Sequence, residues 1–264
     1  MPDDMTQTLP QLFDLSGRVA IVTGGSRGLG AQIARGLGQY GATLALVARK
    51  KSELDETVDQ FRAYGIDAHG FAMDLSAPEA PQALVDAVMA QFGRIDVLVN
   101  NAGANWGAPA EDYPLSGWNK VIDLNVTGLF LLTQAVARTA FLPQGKGSVV
   151  NIASIEGLIG HHHSQIGTVA YNAAKGAVLS MTRALAAEWG GRNIRVNAIA
   201  PGYFPSKMTS ATVDSLGDTL IDRAPLGRLG GPTDLMGPAL LLASDAGAYI
   251  TGQVIVVDGG MTII

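Results

Sequence analysis

Short apolar segments alternate with amphipathic segments through the first hundred residues, and this alternation limits the fold more than any other feature of the chain. The apolar segments have the length of strands and cover residues 18–23, 43–48, 67–73 and 97–100. Between them lie helical patterns over residues 31–37, 51–64 and 78–92. Such an alternation predicts a parallel sheet, and strands with little polar alternation indicate that helices cover both faces. We therefore predict a doubly wound α/β fold.

The second half continues the same pattern and then departs from it. Helices are predicted over 115–140, 169–189 and 233–242, and strands over 148–153, 195–200 and 254–258. Residues 201–229 contain three prolines and many small polar residues. That composition favours a long lid over a ligand site rather than another strand–helix unit. We predict one domain over residues 14–264, preceded by a partly ordered N-terminal arm over residues 1–13.

Composition excludes several classes of partner. The net charge is -5 and no run of Lys or Arg marks a nucleic-acid or membrane surface, which argues against nucleic acid and anionic membranes as partners. The chain has no cysteine, and His161 to His163 have no acidic or thiol neighbours, so we predict no metal site. The N-terminus does not resemble a secretory leader, and the apolar stretches are shorter than a membrane span. We expect a cytoplasmic protein.

A glycine-rich turn joins the first strand to the first helix. Glycines permit a tight turn and let a pyrophosphate approach the helix N-terminus. The alternative is a turn whose glycines serve packing alone, but the position after the first strand of a βαβ unit disfavours it. This turn predicts a Rossmann-type dinucleotide site formed by Gly24, Ser26, Arg27, Gly28, Leu29 and Gly30.

The end of the second strand indicates which dinucleotide binds. NAD-preferring folds place an acid there, whereas this chain has Ala48-Arg49-Lys50. Arg49 can form a bidentate contact with a 2′-phosphate, and Arg27 can approach from the glycine turn. We predict a preference for NADP(H). NAD(H) stays open as an alternative, because both arginines could be ordinary solvated residues.

Tyr171 and Lys175 stand four residues apart, and Ser154 precedes them in a small-residue stretch. On a helix this spacing places the phenol and the ammonium group on one face. A nearby cation lowers the pKa of a phenol from its usual value of ~10. The three residues are therefore candidates for proton transfer to or from an oxygen atom.

With these motifs in place, the chain closely resembles the short-chain dehydrogenase/reductase family over residues 14–264. The motifs occur in the family's order as Thr23-Gly24-x-x-x-Gly28-x-Gly30, Asp74-Leu75, Asn100-Asn101-Ala102-Gly103, Asn125, Ser154, Tyr171-x-x-x-Lys175 and Pro201-Gly202. The interval from Ser154 to Tyr171 is a few residues longer than is usual in the family. That segment holds His161 to His163, which either form a solvated loop or bind an acidic substrate.

The resemblance implies a role for each matching residue. Tyr171 would be the general acid/base, Ser154 would hold the substrate oxygen, and Lys175 would lower the tyrosine pKa while binding the nicotinamide ribose. Asn125 would hold a water that connects Lys175 to solvent. Further cofactor contacts would come from Lys50, Asp74, Leu75, Asn101, Ala102, Gly103, Pro201, Gly202, Phe204 and Ser206, in addition to Tyr171 and Lys175.

Within the family, the segments 105–114 and 201–209 resemble two groups of enzymes. One comprises the gluconate 5-dehydrogenase-like enzymes and the other the β-ketoacyl reductases of the rhamnolipid-pathway type. The three-residue gap between Tyr171 and Lys175 argues against the enoyl reductases of this fold. An apolar substrate pocket is expected from Trp106, Ile155, Leu158, Ile159, Phe204 and Met208.

We therefore expect an NADPH-dependent enzyme that reversibly reduces a 3-oxoacyl-type or other hydrophobic ketone to a secondary alcohol. A gluconate 5-dehydrogenase or another polyol or sugar-acid dehydrogenase is the alternative substrate assignment. A nucleotide-sensing protein without catalysis is the alternative of another class, and intact Ser154, Tyr171 and Lys175 argue against it. A purely structural oligomer leaves the glycine turn unexplained. Small residues along the long helix favour a homotetramer, with a dimer as the alternative.

Overall fold

Seven strands form one parallel sheet in the computed structural model, which describes residues 7–160, 167–207 and 209–264. The strands are β1 (Val19–Thr23), β2 (Thr43–Ala48), β3 (Ala68–Ala72), β4 (Val97–Asn100), β5 (Gly147–Ile152), β6 (Ile194–Pro201) and β7 (Val254–Val257). Their order across the sheet is β3-β2-β1-β4-β5-β6-β7. The chain winds outward in one direction from β1 and in the other from β4. A topological switch point therefore lies between these two central strands, which is where such sheets bind ligands.

The helices are placed along the chain as the alternating pattern predicts. They are α1 (Leu9–Phe13), α2 (Gly28–Gln39), α3 (Lys51–Ala63), α4 (Ala80–Phe92), α5 (Leu115–Ile122), α6 (Leu129–Val136), α7 (Leu142–Gln144), α8 (Val169–Trp189), α9 (Ser210–Asp222) and α10 (Met236–Ala243). The prediction of a Rossmann-type doubly wound fold in a single domain is confirmed.

Alternate residues of β1 pack into two separate cores, one on each face of the sheet. Ala20 and Val22 lie in a cluster with buried side chains of α2, α3 and α10. Val19 and Ile21 point to the opposite face, where they join side chains of α4, α6 and the end of α8. All five residues of β1 are buried. Because both faces are covered, the strand has no polar alternation.

Three features differ from the predicted elements. The helix predicted over residues 115–140 runs to Gln144 and is interrupted by π-helical turns at Asp123–Gly128 and Ala137–Phe141. The lid segment 201–229 contains a full helix, α9, which the sequence analysis did not predict. The short helix α1 lies within the predicted N-terminal arm.

One continuous helical segment, Leu115–Gln144, is long and apolar enough to cross a membrane by length and composition alone. Half of its most apolar window is buried inside the protein. The core helix of a globular α/β fold meets the same criterion, so this feature is weak evidence for a membrane span.

Candidate active site

The predicted site residues gather at the carboxyl edge of the sheet. The glycine turn follows β1, Asn101 follows β4, and Ser154 follows β5 after one intervening residue. Pro201 ends β6. Because parallel strands all end at the same edge, residues distant in the chain meet beside the switch point.

The glycine turn has the geometry of a phosphate cradle. Gly24 and Gly28 have φ angles of 65° and 55°, a backbone conformation that favours glycine. A Cβ atom on Gly30 would lie 2.3 Å from the Gly24 carbonyl oxygen, so a side chain there is excluded. Arg27 occupies the N-cap of α2 without a side-chain cap, which leaves the first backbone amides of the helix available to an anion. These residues fit the pyrophosphate of a dinucleotide.

Asn101 fastens the end of β4 to this turn. Its Nδ2 donates to the Thr23 carbonyl oxygen at 2.9 Å, and its backbone amide donates to Thr23 Oγ1 at 2.9 Å. The amide of Ala102 donates to the same hydroxyl at 2.9 Å. The role of Asn101 in this structure is therefore to hold the loop that continues through Gly103 beside the glycine turn.

Of the two arginines predicted to bind a 2′-phosphate, Arg27 is paired with a carboxylate, and so is the neighbouring Lys50. Arg27 Nη1 lies 2.8 Å from Glu53 Oε2, and Lys50 Nζ lies 3.1 Å from Glu53 Oε1. Hydrogen bonds from the backbone amide and hydroxyl of Ser76 lower the pKa of Asp74, and the charge of Arg49 lowers it further. Glu53 is the residue that the sequence analysis missed. An acid in the first turn of a helix, three residues after a basic N-cap, is the pattern that could have indicated it.

Ser154, Tyr171 and Lys175 meet at the end of β5. Lys175 is 4% exposed, and its Nζ donates to the Ile152 carbonyl oxygen at 2.7 Å. The same Nζ lies 5.4 Å from the centroid of the Tyr171 ring. Ser154 Oγ accepts a hydrogen bond from the Glu156 amide at 3.2 Å. The predicted grouping of a phenol, a hydroxyl and an ammonium group is present.

The pKa of Tyr171 is raised above its ordinary value in this structure, whereas the sequence analysis expects Lys175 to lower it. Burial raises this pKa to about 12, a hydrogen bond with Ser154 lowers it in part, and the charge of Glu156 raises it. Lys175 does not offset the burial, because its ammonium group is directed to a backbone carbonyl and is itself desolvated. Burial lowers the pKa of Lys175 to about 8. Burial is thus the largest influence on the phenol pKa in the chain by itself, and the lowering of that pKa by Lys175 stays a prediction.

Asn125 lies in the first π-helical turn and is 1% exposed. Its Nδ2 donates to the carbonyl oxygens of Ala104 and Val121, both at 2.8 Å, and its Oδ1 accepts from the Ala104 amide at 3.3 Å. One amide hydrogen and the amide oxygen thus hold the loop after β4, and the other amide hydrogen is bonded to the preceding turn of the helix. The water-binding role predicted for Asn125 stays a prediction.

A polar cluster that the sequence analysis did not identify lies next to Ser154 and Tyr171. Tyr203 Oη donates to Glu156 Oε1 at 3.0 Å, and Asn172 Nδ2 donates to Glu156 Oε2 at 3.1 Å. Burial raises the pKa of Tyr203, and the charge of Glu156 raises it further. Asn172 is the neighbour of Tyr171 on α8. The cluster therefore connects the start of the lid, at Tyr203, with α8, at Asn172.

The predicted apolar pocket is only partly present. Trp106 and Leu158 are exposed by 37% and 46%, and Ile159 is half-buried. In contrast, Ile155 is buried against Leu220 of the lid helix, and Phe204 belongs to the main core. Their side chains therefore contribute to packing around the lid, and their part in a substrate pocket stays a prediction. Met208 and His161 to His163 lie outside the described residues.

The remaining predicted cofactor residues line the same edge of the sheet. Leu75 is buried, and Gly202 packs so closely on Asp258 that a Cβ atom would lie 2.8 Å from its Cα. A Cβ atom on Gly28 would lie 3.9 Å from Ser206 Cβ, which places the start of the lid over the glycine turn. Ser206 Oγ is hydrogen-bonded to Thr209 Oγ1 at 2.9 Å. Within the described residues, no group of three or more His, Cys, Asp or Glu side chains could hold a metal ion.

Comparisons with known proteins agree with this geometry. A family model described as Enoyl-(Acyl carrier protein) reductase matches residues 24–262. The chain is 39% identical over 256 residues to a gluconate 5-dehydrogenase from Gluconobacter oxydans, covering 96% of this chain and 98% of that protein. It is 42% identical over 255 residues to the rhamnolipids biosynthesis 3-oxoacyl-acyl-carrier-protein reductase of Pseudomonas aeruginosa, covering 94% and 97%.

A solved structure shares the whole architecture. The crystal structure of a gluconate 5-dehydrogenase from Burkholderia cenocepacia in complex with NADP and tartrate superimposes with a TM-score of 0.91 at 35% identity, covering 97% of this chain and 100% of that chain. The family match spans most of the chain, and the relatives are named as dehydrogenases or reductases. The chain belongs to the short-chain dehydrogenase/reductase family of oxidoreductases.

Proposed function

We propose that the protein uses NADP(H) to interconvert a ketone and a secondary alcohol, with reduction by NADPH as the forward direction. The observation that carries the proposal is the meeting of Ser154, Tyr171 and Lys175 at the sheet edge that also holds the glycine turn. The Burkholderia cenocepacia relative, whose structure contains NADP, supports the choice of cofactor.

The chain's own residues would manage the proton. When bound, the nicotinamide group supplies or accepts a hydride. Tyr171 would donate its phenolic proton to the substrate oxygen, and Ser154 would hold that oxygen by a hydrogen bond. A pKa of about 12 keeps Tyr171 protonated at neutral pH, which suits a proton donor in the direction of ketone reduction. Lys175 would bind the nicotinamide ribose, and Asn125 would support a water between Lys175 and solvent.

Two substrate classes are supported by different observations. The exposed side chains of Trp106 and Leu158 favour a hydrophobic ketone such as a 3-oxoacyl thioester, and the Pseudomonas aeruginosa relative is a 3-oxoacyl reductase. The cluster of Glu156, Tyr203 and Asn172 offers hydrogen bonds to a hydroxylated substrate, and the Gluconobacter oxydans relative is a gluconate 5-dehydrogenase. We propose the hydrophobic ketone first and the sugar acid or polyol second.

The function is tested by measuring NADPH oxidation with 3-oxoacyl thioesters, keto-sugar acids and cyclic ketones, each compared with NADH. Turnover of one class supports the proposal and identifies the substrate group. Binding of NADPH without turnover of any class would instead favour a nucleotide-sensing protein.

We also propose a homotetramer, for which exposed apolar residues on α5, α6 and α8 are the support.

A further inference from the structure

The dinucleotide site contains an acid of its own beside the cations expected to bind a 2′-phosphate. Glu53 is the third residue of α3, and its carboxylate bridges Arg27 of the glycine turn and Lys50 at the N-cap of α3. Its side chain is 29% exposed. This carboxylate therefore lies between two groups that a phosphate would also contact.

The position of Glu53 is fixed by the fold. Thr57 follows it by one helical turn, and Thr57 Oγ1 lies 2.6 Å from the Ser26 carbonyl oxygen and 2.9 Å from the Glu53 carbonyl oxygen. The first turn of α3 is thus held against the glycine turn. A carboxylate in the first helical turn also interacts favourably with the helix dipole.

The charges around the site do not cancel. Arg27, Arg49 and Lys50 supply three cations, whereas Glu53 and Asp74 supply two carboxylates. The hydrogen bond with Lys50 lowers the pKa of Glu53, so this carboxylate is ionised at neutral pH. The site attracts an anion, but less strongly than its basic residues alone would.

Exposed ion pairs contribute little to stability, so a phosphate can displace Glu53 from Arg27 at low cost. The negative charge of Glu53 nevertheless stays within a few ångströms of the displaced partners. Repulsion between this charge and the 2′-phosphate weakens NADPH binding and leaves NADH, which has no such phosphate, unaffected.

We propose that Glu53 is a specificity-determining residue that limits the preference for NADP(H) over NAD(H) by competing with the 2′-phosphate for Arg27 and Lys50. The inference rests on the proposed dinucleotide site but not on the identity of the ketone.

The test is equilibrium binding of NADPH and NADH to the full chain without ketone, by fluorescence or calorimetric titration. We expect Glu53→Gln to tighten NADPH binding by about two- to fivefold, within the range for one exposed charge interaction, and to change NADH binding by less than about 1.5-fold. Adenosine 2′,5′-bisphosphate and adenosine 5′-monophosphate should show the same difference, because they carry only the adenosine half. High salt should reduce the effect.

Glu56→Gln is the matched control, because it removes the same charge from an exposed position of the same helix. We expect it to leave the ratio of NADPH to NADH affinity unchanged. In an Arg27→Gln background, Glu53→Gln should lose the part of its effect that comes from competition for Arg27, while the part that comes from Lys50 remains. Thermal melting of each variant confirms that the fold is intact.

An unchanged or lowered ratio of NADPH to NADH affinity in Glu53→Gln would overturn the inference and leave the proposed function standing. Equal tightening of both dinucleotides would overturn it as well, since it would show a general charge effect. If neither dinucleotide binds to the wild-type chain, both this inference and the proposed function fail.

Discussion

Opposing influences act on the pKa of Tyr171. Their balance determines whether the side chain is better suited to donate a proton or to accept one. Burial is the largest influence and raises the pKa, while the hydrogen bond with Ser154 lowers it. Glu156 adds a negative charge that disfavours the phenolate. The cation nearest to the ring, Lys175, is hydrogen-bonded to a backbone carbonyl. The chain by itself therefore holds a protonated phenol, which must lose its proton before it can act as a base in alcohol oxidation.

Glu156→Gln should move the pH profile of alcohol oxidation to lower pH. Oxidation requires the Tyr171 phenolate, so its rate rises as pH increases toward the pKa of the phenol. Removing the carboxylate removes an influence that raises this pKa, so the rise should begin at lower pH. Tyr203→Phe, which removes a hydrogen bond to Glu156 but keeps its charge, is the control. Identical profiles for Glu156→Gln and the wild type would exclude this role.

Lys175 should give stability a distinct dependence on pH. Its pKa is lowered from 10.5 to about 8 by burial, so between these values the unfolded chain binds more protons than the folded chain. Stability therefore rises with pH in that window, and the burial cost, on the order of 3 kcal/mol, is largest below pH 8. From pH 8 to pH 9.5, denaturant unfolding should show the wild type gaining about 1 to 2 kcal/mol relative to Lys175→Met. If the free energy of unfolding changed with pH by the same amount in both proteins, Lys175 could not be a desolvated lysine with a lowered pKa.

At the scale of elements, a strand or helix could be predicted from the sequence where its signal lies in neighbouring residues. The strands and helices that carry the glycine turn and Tyr171 were predicted because period and turn chemistry are local properties. The lid helix α9 was missed because prolines 201, 205 and 225 suggested an irregular segment, yet all three lie outside Ser210–Asp222. The π-helical turn at Asp123–Gly128 depends on bonds from Asn125 to the distant Ala104, which no periodic pattern reveals. Glu156 was missed because its partners Asn172 and Tyr203 are likewise distant in the chain, and the link from Glu53 to Arg27 is distant too, although its pairing with Lys50 is local.

Asn125→Ala should destabilise the fold through this π-helical turn. The substitution removes a buried hydrogen bond to the Val121 carbonyl and leaves the part-buried amide and carbonyl of Ala104 without their side-chain partner. We expect a loss of about 2 to 4 kcal/mol in the free energy of unfolding, measured with denaturant. Asn119→Ala is the control, because Asn119 is exposed on the preceding helix and should change stability by less than about 0.5 kcal/mol. Equal stabilities of the two variants would contradict a structural role for Asn125.

For the whole molecule, large apolar side chains remain exposed on helices α5, α6 and α8 and on the edge strand β7, among other places. Trp118, Phe130 and Val169 are exposed by 36%, 38% and 41% on α5, α6 and α8. Val256 on β7, an edge strand of the sheet, is exposed by 39%. Apolar patches and unpaired strand edges of this kind are typical of surfaces that pair with another chain. Two such surfaces on one chain are what an assembly with dihedral symmetry requires.

We therefore expect light scattering to give four times the chain mass at micromolar concentration. Phe130→Glu should reduce this mass by half, because a charge in one apolar surface disrupts one of the two contacts and leaves the other. Surface charge elsewhere should have no effect, for which Glu56→Gln serves as the control. A monomer at micromolar concentration would reject the assembly.

The central claim is that Tyr171 transfers the proton at a site that binds the cofactor independently of it. The most direct measurement compares Tyr171→Phe with the wild type in two assays, ketone reduction and NADPH binding. We predict that turnover falls by about 10²- to 10⁴-fold, as expected for the loss of a general acid, while NADPH affinity changes by less than about twofold. Undiminished turnover in Tyr171→Phe, with the fold intact, would contradict the account.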